Sequence, residues 1–505
     1  MSADARPLAP PFHLPMMIRG ERIEPSDTDS VHDFGGAMIC APDPIRHMPR
    51  LGLRNRSALD DLHALSIDAI VDFLAGLQDR LEPSRNVHLN WAMRMSLAAS
   101  GLAPSIVEAE FRKLSKLFDR AHIEAVADGM GRPFLEGWCA LARRNGDPMI
   151  TRVRAVGARS LHIIAGNTPA LAALTLVRNA VARSDAIIKI PSNDPGTAVA
   201  LAQTMIDYAP DHPITRHMSV AYWRGGRSEI ENRLLGPHYL DKIFVWGGQQ
   251  AVDGIRQRAA LGVDVISFDP KISISVIDLA ELEAPGALHD AADRLARDAA
   301  SLNQTACFNA RIVYLIGKGD APSHDMSRRL AEATIAAVAS LPEAVSGAVL
   351  NLDPVLADDI QALRLTGVGG QVLGRLGECC IVISDDAAPV DFAGALSGKA
   401  VNFVIVPSID AILPMLSHYT QTIGLYPMAL HTRLAERLAL AGGQRITALG
   451  CAAAAMHPGA PQDGQDVLRR HCRWVSDSVP ASAEDAHGAQ MPEWAIPTLE
   501  KCDAL

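Results

Sequence analysis

From residue 153 onward, short runs rich in β-branched residues alternate with Ala-rich stretches of helical length, and this alternation restricts the possible folds most. Strands are predicted over 160–165, 186–190, 218–223, 243–246 and 263–268, with helices over 169–182, 197–208 and 249–261. Strands joined through helices do not pair as tight hairpins. Each crossover carries the chain back to the start of the next strand, which builds a parallel sheet covered by helices. Beyond 270 the pattern resumes, with strands over 273–277, 312–316, 380–384 and 403–406 and helices over 287–301 and 326–337. Upstream, 59–81, 87–99 and 106–118 read as helices, Pro104 suits the entry to the last, and 138–145 closes the helical region. Residues 1–50, rich in Pro, Gly and Asp, read as an extended arm with one short strand pair over 16–23. The fold class is therefore α/β. The expected divisions are an arm (1–50), a helical region with a first α/β domain (51–268), a second α/β domain (269–432), a C-terminal return to the first (433–480) and a loosely held tail (481–505).

Charge and composition remove several function classes. With 47 Lys and Arg against 57 Asp and Glu, the net charge is −10, and no basic stripe runs along the chain, so nucleic acid is not an expected partner. No apolar run approaches the roughly 18 residues of a membrane span. Residues 1–15 carry four prolines and do not read as a secretory signal. Eight cysteines occur with no C-x-x-C pair, which excludes zinc-ribbon spacing and a disulfide framework. Free thiols in a reducing, cytoplasmic compartment and no metal are the expectation. Cys502-Asp503-Ala504-Leu505 fits a prenylation box poorly, because Asp503 stands at an aliphatic position and no polybasic segment precedes it.

The dinucleotide fingerprint G-x-G-x-x-G is absent in its usual setting. Gly367-Val368-Gly369-Gly370-Gln371-Val372-Leu373-Gly374 has its third glycine misplaced and no clear strand before it, so it reads as a Gly-rich loop. Four other segments are more informative. Cys307, in Asn303-Gln304-Thr305-Ala306-Cys307-Phe308-Asn309, lies between a helix and a strand among small and polar neighbours, either as an idle thiol or as an accessible nucleophile. Asn167, in Gly166-Asn167-Thr168-Pro169, follows a strand and is either a turn residue or an amide aimed at a developing oxyanion. Lys189 interrupts an apolar strand that ends in Pro191-Ser192-Asn193-Asp194, and either snorkels outward or faces a ligand. Gly247 and Gly248 join a strand to a helix, a geometry that lets a phosphate approach the helix N-terminus.

Taken in order, these segments resemble the aldehyde dehydrogenase superfamily. Resemblance extends through Met16–Gly20, Tyr419–Pro427 (YTQTIGLYP), Gly442–Gly450 (GGQRITALG) and Arg469–Val475 (RRHCRWV), which look like the acyl-CoA reductases of the bacterial bioluminescence fatty-acid reductase system. The resemblance implies a Rossmann-type cofactor domain of five strands lacking the Gly-rich fingerprint, plus an α/β catalytic domain. It implies Cys307 as nucleophile and Asn167 as oxyanion donor, with Lys189 and Ser192 at the adenosine ribose and Gly247 and Gly248 near the pyrophosphate. Glu378 is a candidate for the nicotinamide-ribose contact, although the usual surroundings are absent. Where hydrolytic members carry Glu-Leu-Gly-Gly-Lys, this chain has Ser267-Phe268-Asp269-Pro270-Lys271. With Ser267 in place of the water-activating Glu, an acyl-enzyme should resist hydrolysis. The implied activity is an NADPH-dependent reduction of an acyl-CoA to an aldehyde through an acyl-cysteine. The donor is acyl-CoA or an acyl-protein, the enzyme is a homo-oligomer, and an acyl-activating protein is its partner. Ser192, in place of a carboxylate, favours NADPH, while Asp194 nearby argues the other way. A conventional aldehyde dehydrogenase and a silent acyl-presenting subunit are the alternatives.

Overall fold

The computed structural model describes residues 12–480 apart from 28, 35, 36, 143–148 and 455. The expected tail over 481–505, with Cys502, lies outside the described residues.

Two seven-stranded sheets organise the chain. In the first, the spatial order is Asp264–Phe268, Lys242–Trp246, Arg159–Ile163, Asp185–Lys189, Met218–Ala221, Met16–Ile18 and Glu21–Ile23. The first five are mutually parallel, and the two strands of the arm continue the sheet antiparallel. Ala186 and Ile188 pack on one face with the helices Ala170–Val181 and Thr197–Tyr208, whereas Ile187 packs on the other with Val252 and Ile255 of Gln249–Arg258. That two-sided burial is why these strands read as unbroken apolar runs. The helical region, including Ile67–Ala75, Val87–Ala99 and Arg120–Met130, joins the first of these cores. The arm is fastened by Arg19, whose guanidinium pairs at 2.7 Å with the buried carboxylate of Asp185.

The chain's first parallel strand, Arg159–Ile163, sits between its second and its fourth. The sheet thus has a topological switch point, and ligands of open α/β sheets bind at the carboxyl ends of the strands there.

The second sheet runs Gly370–Arg375, Cys379–Ser384, Ala400–Val406, Ala310–Ile316, Ile272–Asp278, Thr420–Tyr426 and Arg445–Ala448, parallel except at its first edge. Part of the expected Gly-rich loop is that antiparallel edge strand. Adjacent Cys379 and Cys380 belong to cores on opposite faces, as successive residues of a strand must. The chain crosses back after Arg445–Ala448, later than the expected boundary at 433. Val467–Arg470 packs near Arg120–Met130, and Arg473–Pro480 pairs antiparallel with Met149–Val156. Where 138–145 was expected to finish the helical region, Cys139–Ala140 adds a third strand to this ribbon. Among the described residues no helix is long and apolar enough to cross a membrane.

Candidate active site

The carboxyl ends of the first sheet face the loop that precedes Ala310–Ile316. Beyond Arg159–Ile163 the chain turns through Gly166, where an added Cβ would stand 2.2 Å from Asn193 Oδ1. Only glycine allows that close approach between neighbouring strand ends. Thr168 Oγ1 accepts from the Ala170 amide at 3.3 Å and donates to Glu110 at 3.0 Å, fixing the entry to the helix. Asn167 is half-buried, and its amide nitrogen reaches only the Thr305 carbonyl, at 3.5 Å. A contact that long is weak, so the amide is available to a substrate oxygen.

The Cys307 loop is preformed. Leu302, Asn303 and Gln304 lie consecutively in the left-handed region, with φ of 52°, 53° and 63°. Each such residue costs roughly 1–2 kcal/mol, and buried side-chain amides hold the turn against that cost. Gln304 bonds Ala310 and Ala400, Asn303 bonds Gly347 and Ala348, and Asn309 bonds Ala306, Asp298 and Ser301. The Cys307 carbonyl accepts from Ser273 Oγ at 2.7 Å.

At the half-buried thiol, Gln421 Nε2 donates to Cys307 Sγ at 3.0 Å and also to Asp463 Oδ1 at 2.7 Å. Burial pushes the thiol above its ordinary range and Asp463 pushes the same way, while the Gln421 hydrogen bond and the Arg311 guanidinium oppose it. Arg311 is held by the Leu396 carbonyl at 2.8 Å. Asp463 and Gly464, with φ of 50° and 70°, form a two-residue turn closed by reciprocal 2.9 Å backbone bonds between Gln462 and Gln465. Sequence reasoning missed Gln421, Asp463 and Arg311. The Asp-Gly pair signals a turn, but nothing in the sequence signals that it lands beside the thiol.

Cys307, Asn167, Gly247, Gly248, Arg311 and Asp463 line one cleft of about 720 Å³. Much of its remaining wall is apolar, with Leu171, Leu174, Val345 and Phe308 joined by Trp246 and Phe268, whose rings stack at 3.6 Å. No histidine is among the described residues lining it. No described group of three or more His, Cys, Asp or Glu is placed to hold a metal ion.

Gly248 precedes Gln249–Arg258 as its N-cap without a side-chain cap; an added Cβ there would meet nothing within 4 Å, and at Gly247 only Ala251. Packing does not demand these glycines; they leave open space before a helix N-terminus. Lys189 and Ser192 lie outside the cleft, on the same edge of the sheet. The Lys189 ammonium stands 5.5 Å from the Trp223 ring centroid, and burial lowers its pKa to about 8. Among the described residues it has no ion-pair partner; Glu231, its nearest charge influence, pairs with Arg258. Ser192 is exposed. A half-buried unpaired cation and an open glycine turn fit a phosphate-bearing dinucleotide. Asp194 is turned away, buried and accepting from Ser96 at 2.9 Å and Thr197 at 2.7 Å.

Two sequence expectations need correction. Ser267 does not face the thiol's cleft. Its hydroxyl accepts from Arg256, and it is the next residues, Phe268 and Asp269, that line the wall. Strand alternation turns Ser267 to the opposite side. Glu378 is exposed at the turn between the antiparallel strands and does not line the cleft.

The profile of the family described as acyl-CoA reductase (LuxC) matches residues 62–474. The long-chain acyl-protein thioester reductase of Vibrio harveyi is 25% identical over 479 residues, covering 93% of this chain and 94% of that protein. Its counterpart in Photorhabdus laumondii is 30% identical, covering 64% of each chain, so that alignment spans just under two thirds of the relative. Among solved structures, lactaldehyde dehydrogenase of Escherichia coli superposes with a TM-score of 0.70 at 14% identity, over 93% of this chain and 99% of that one. NADP-dependent glyceraldehyde-3-phosphate dehydrogenase of Bacillus halodurans, complexed with NADP, gives 0.70 at 16% identity, over 93% and 100%. The fold is that of the aldehyde dehydrogenases.

Proposed function

The chain belongs to the acyl-CoA reductase (LuxC) family, and on that premise we propose that it reduces a fatty acyl thioester to the aldehyde through an acyl-Cys307 intermediate, with NADPH as reductant. The observation that carries this reading is the convergence of the Cys307 thiol and the Asn167 amide on one largely apolar cleft. In it Cys307 Sγ attacks the thioester carbonyl, and the acyl chain lies against Leu171, Leu174 and the neighbouring apolar wall. The Asn167 amide and the Cys307 backbone N–H stabilise the oxyanion as it forms. The largely apolar wall limits access of bulk water to the resulting thioester. Gly247, Gly248, Lys189 and Ser192 would hold NADPH at the sheet edge, where it would supply the hydride chemistry that turns the acyl group into the aldehyde and frees the thiol.

Gly247 and Gly248 leave room for the cofactor's pyrophosphate, and Lys189 with Ser192 receives the adenosine end. The inward turn of Asp194 supports NADPH over NADH, because its carboxylate is engaged by Ser96 and Thr197 rather than aimed at a 2′-phosphate. The names of the relatives support an acyl-protein as the physiological donor, delivered by an acyl-activating partner, with acyl-CoA as a competent surrogate. Among the described residues the strand Arg473–Pro480 has a partner on one side only, which supports assembly into a homo-oligomer. A reducing cytoplasm suits the free thiols.

The test is incubation with a panel of acyl-CoAs, first without and then with NADPH. Intact mass should show one acyl adduct that is lost in Cys307→Ala, and NADPH should then yield aldehyde. An adduct that persists in Cys307→Ala, or acid as the sole product, overturns the reading.

A further inference from the structure

We propose that Asp463 is the proton acceptor and donor for thioester exchange at Cys307, taking the thiol proton as Sγ attacks and delivering it to the departing thiol. This rests on the acyl-transfer reading above and assigns a role that the four sequence motifs leave empty.

Two acceptors of the two hydrogens on one amide nitrogen lie about 5 Å apart, which leaves room for a single bridging water. Gln421 sets this spacing between Cys307 Sγ and Asp463 Oδ1, and both side chains line the cleft. The turn bearing Asp463 is clamped on each flank. Gln462 Oε1 accepts from Arg178 at 2.9 Å, while Gln465 donates to the Ser267 carbonyl at 3.0 Å and accepts from Arg470 at 2.9 Å. Asp463 itself sits at positive φ between those anchors, so its carboxylate is aimed by the fold.

Among the described residues the other candidate bases are engaged or turned away, except Asp269, which shares no hydrogen-bond partner with Cys307 Sγ. Glu110 is held by Lys113 and Thr168, the Ser267 hydroxyl is held by Arg256, and no described histidine lines the cleft. Asp269 lines the cleft too, and its charge bears on Asp463.

The exchange balances without an added reactant. The Sγ lone pair forms the bond to the acyl carbon, and the carbonyl pair moves onto oxygen. The Sγ proton passes through the bridging water to the Asp463 carboxylate. When the oxygen pair returns, the bond to the leaving sulfur breaks, and that sulfur takes the proton from Asp463. Thiol and carboxylate thus share one negative charge. Burial and the Asp269 charge push Asp463 up, with Lys271 and Gln421 opposing; burial and Asp463 push the thiol up, with Arg311 and Gln421 opposing. A neutral thiol with the Asp463 carboxylate one water away is the arrangement from which base-assisted attack would start.

The experiment uses the full chain, tetradecanoyl-CoA and no NADPH, and follows acyl-Cys307 by rapid quench and intact mass between about pH 5 and 9. Iodoacetamide alkylation of Cys307 is followed in parallel, since it needs the thiolate but no protonated leaving group. Asp463→Asn should slow acylation by roughly 10²–10³-fold at neutral pH, while alkylation stays equal or becomes faster because a neighbouring negative charge is gone. Asp463→Glu should recover part of the acylation rate. Acylation at the wild-type rate in Asp463→Asn, or acylation and alkylation falling together, overturns the proposal while leaving the acyl-enzyme intact. Should Asp463→Asn not fold, the wild type decides: acylation and alkylation that follow one identical pH profile overturn the proposal. Absence of any adduct on wild-type Cys307 is the distinct failure of the acyl-transfer reading, and the proposal falls with it.

Discussion

Gln421 ties the Cys307 thiol to a carboxyl group: a single amide nitrogen donates to Cys307 Sγ at 3.0 Å and to Asp463 Oδ1 at 2.7 Å. Gln421 is buried on the strand Thr420–Tyr426 of the second sheet, beside the strand Ile272–Asp278 whose Ser273 holds the Cys307 carbonyl. The thiol is therefore positioned from the strand side as well as from its own loop.

Replacing that amide by an isosteric apolar group should weaken the thiolate. A donor stabilises the ionised sulfur more than the neutral one, so Gln421→Leu should raise the thiol pKa. Alkylation of Cys307 by iodoacetamide, measured against pH, should shift to higher pH. An unmoved profile would show that Gln421 does not act on the thiol.

Asn167→Ala should lower aldehyde formation by roughly 10²–10³-fold, the usual effect of losing an oxyanion donor. Cofactor binding, followed by fluorescence, should not change, because Asn167 touches the Thr305 carbonyl rather than the glycine turn. Turnover equal to wild type would remove Asn167 from the site.

NADPH should be preferred over NADH, with an advantage that depends on pH. Burial lowers Lys189 to about 8, so the ammonium is charged below that value and neutral above it. NADPH affinity should therefore hold through neutral pH and weaken as pH rises past about 8, while NADH affinity should change little. Lys189→Met should abolish the difference. Equal affinities in the wild type would mean that another group receives the adenosine ribose.

Ser267→Glu should leave thioester hydrolysis at the wild-type level. Its side chain faces Arg256, so a new carboxylate pairs with that guanidinium and not with a water at the acyl group. Release of labelled acid from acyl-CoA, without NADPH, measures this. Accelerated hydrolysis in the variant would place position 267 on the thiol side of the strand.

The parallel strands of the first sheet were legible because both faces are buried and the residues are nearly all apolar. Asp185–Lys189 and Lys242–Trp246 lie close to where 186–190 and 243–246 were read. The strand Thr420–Tyr426 is buried along most of its length but carries Thr, Gln, Thr and Gly, which breaks the unbroken apolar run that marked the other buried strands. Its polar residues serve their neighbours: Gln421 holds the thiol, the Thr422 amide meets Ser273, and Gly424 keeps the 3.0 Å clearance that an added Cβ would have from Asp298. Cys307, Asn167, Gly247 and Gly248 were visible because each sits at a strand–loop junction, and the structure brings all four to one cleft. Lys189 and Ser192 lie further along the same edge. Asp463 was hidden because 156 positions separate it from Cys307 in sequence, and only the C-terminal crossing brings them together.

That crossing has a consequence for inheritance. The acid beside the thiol is carried by a late segment, yet it is anchored by Arg178 and the Ser267 carbonyl of the first sheet's domain, while the thiol belongs to the second. A hybrid that takes its first half from a distant cousin keeps the main-chain anchor at 267, which any residue supplies, but keeps the other grip on the Asp463 turn only where an arginine stands at position 178.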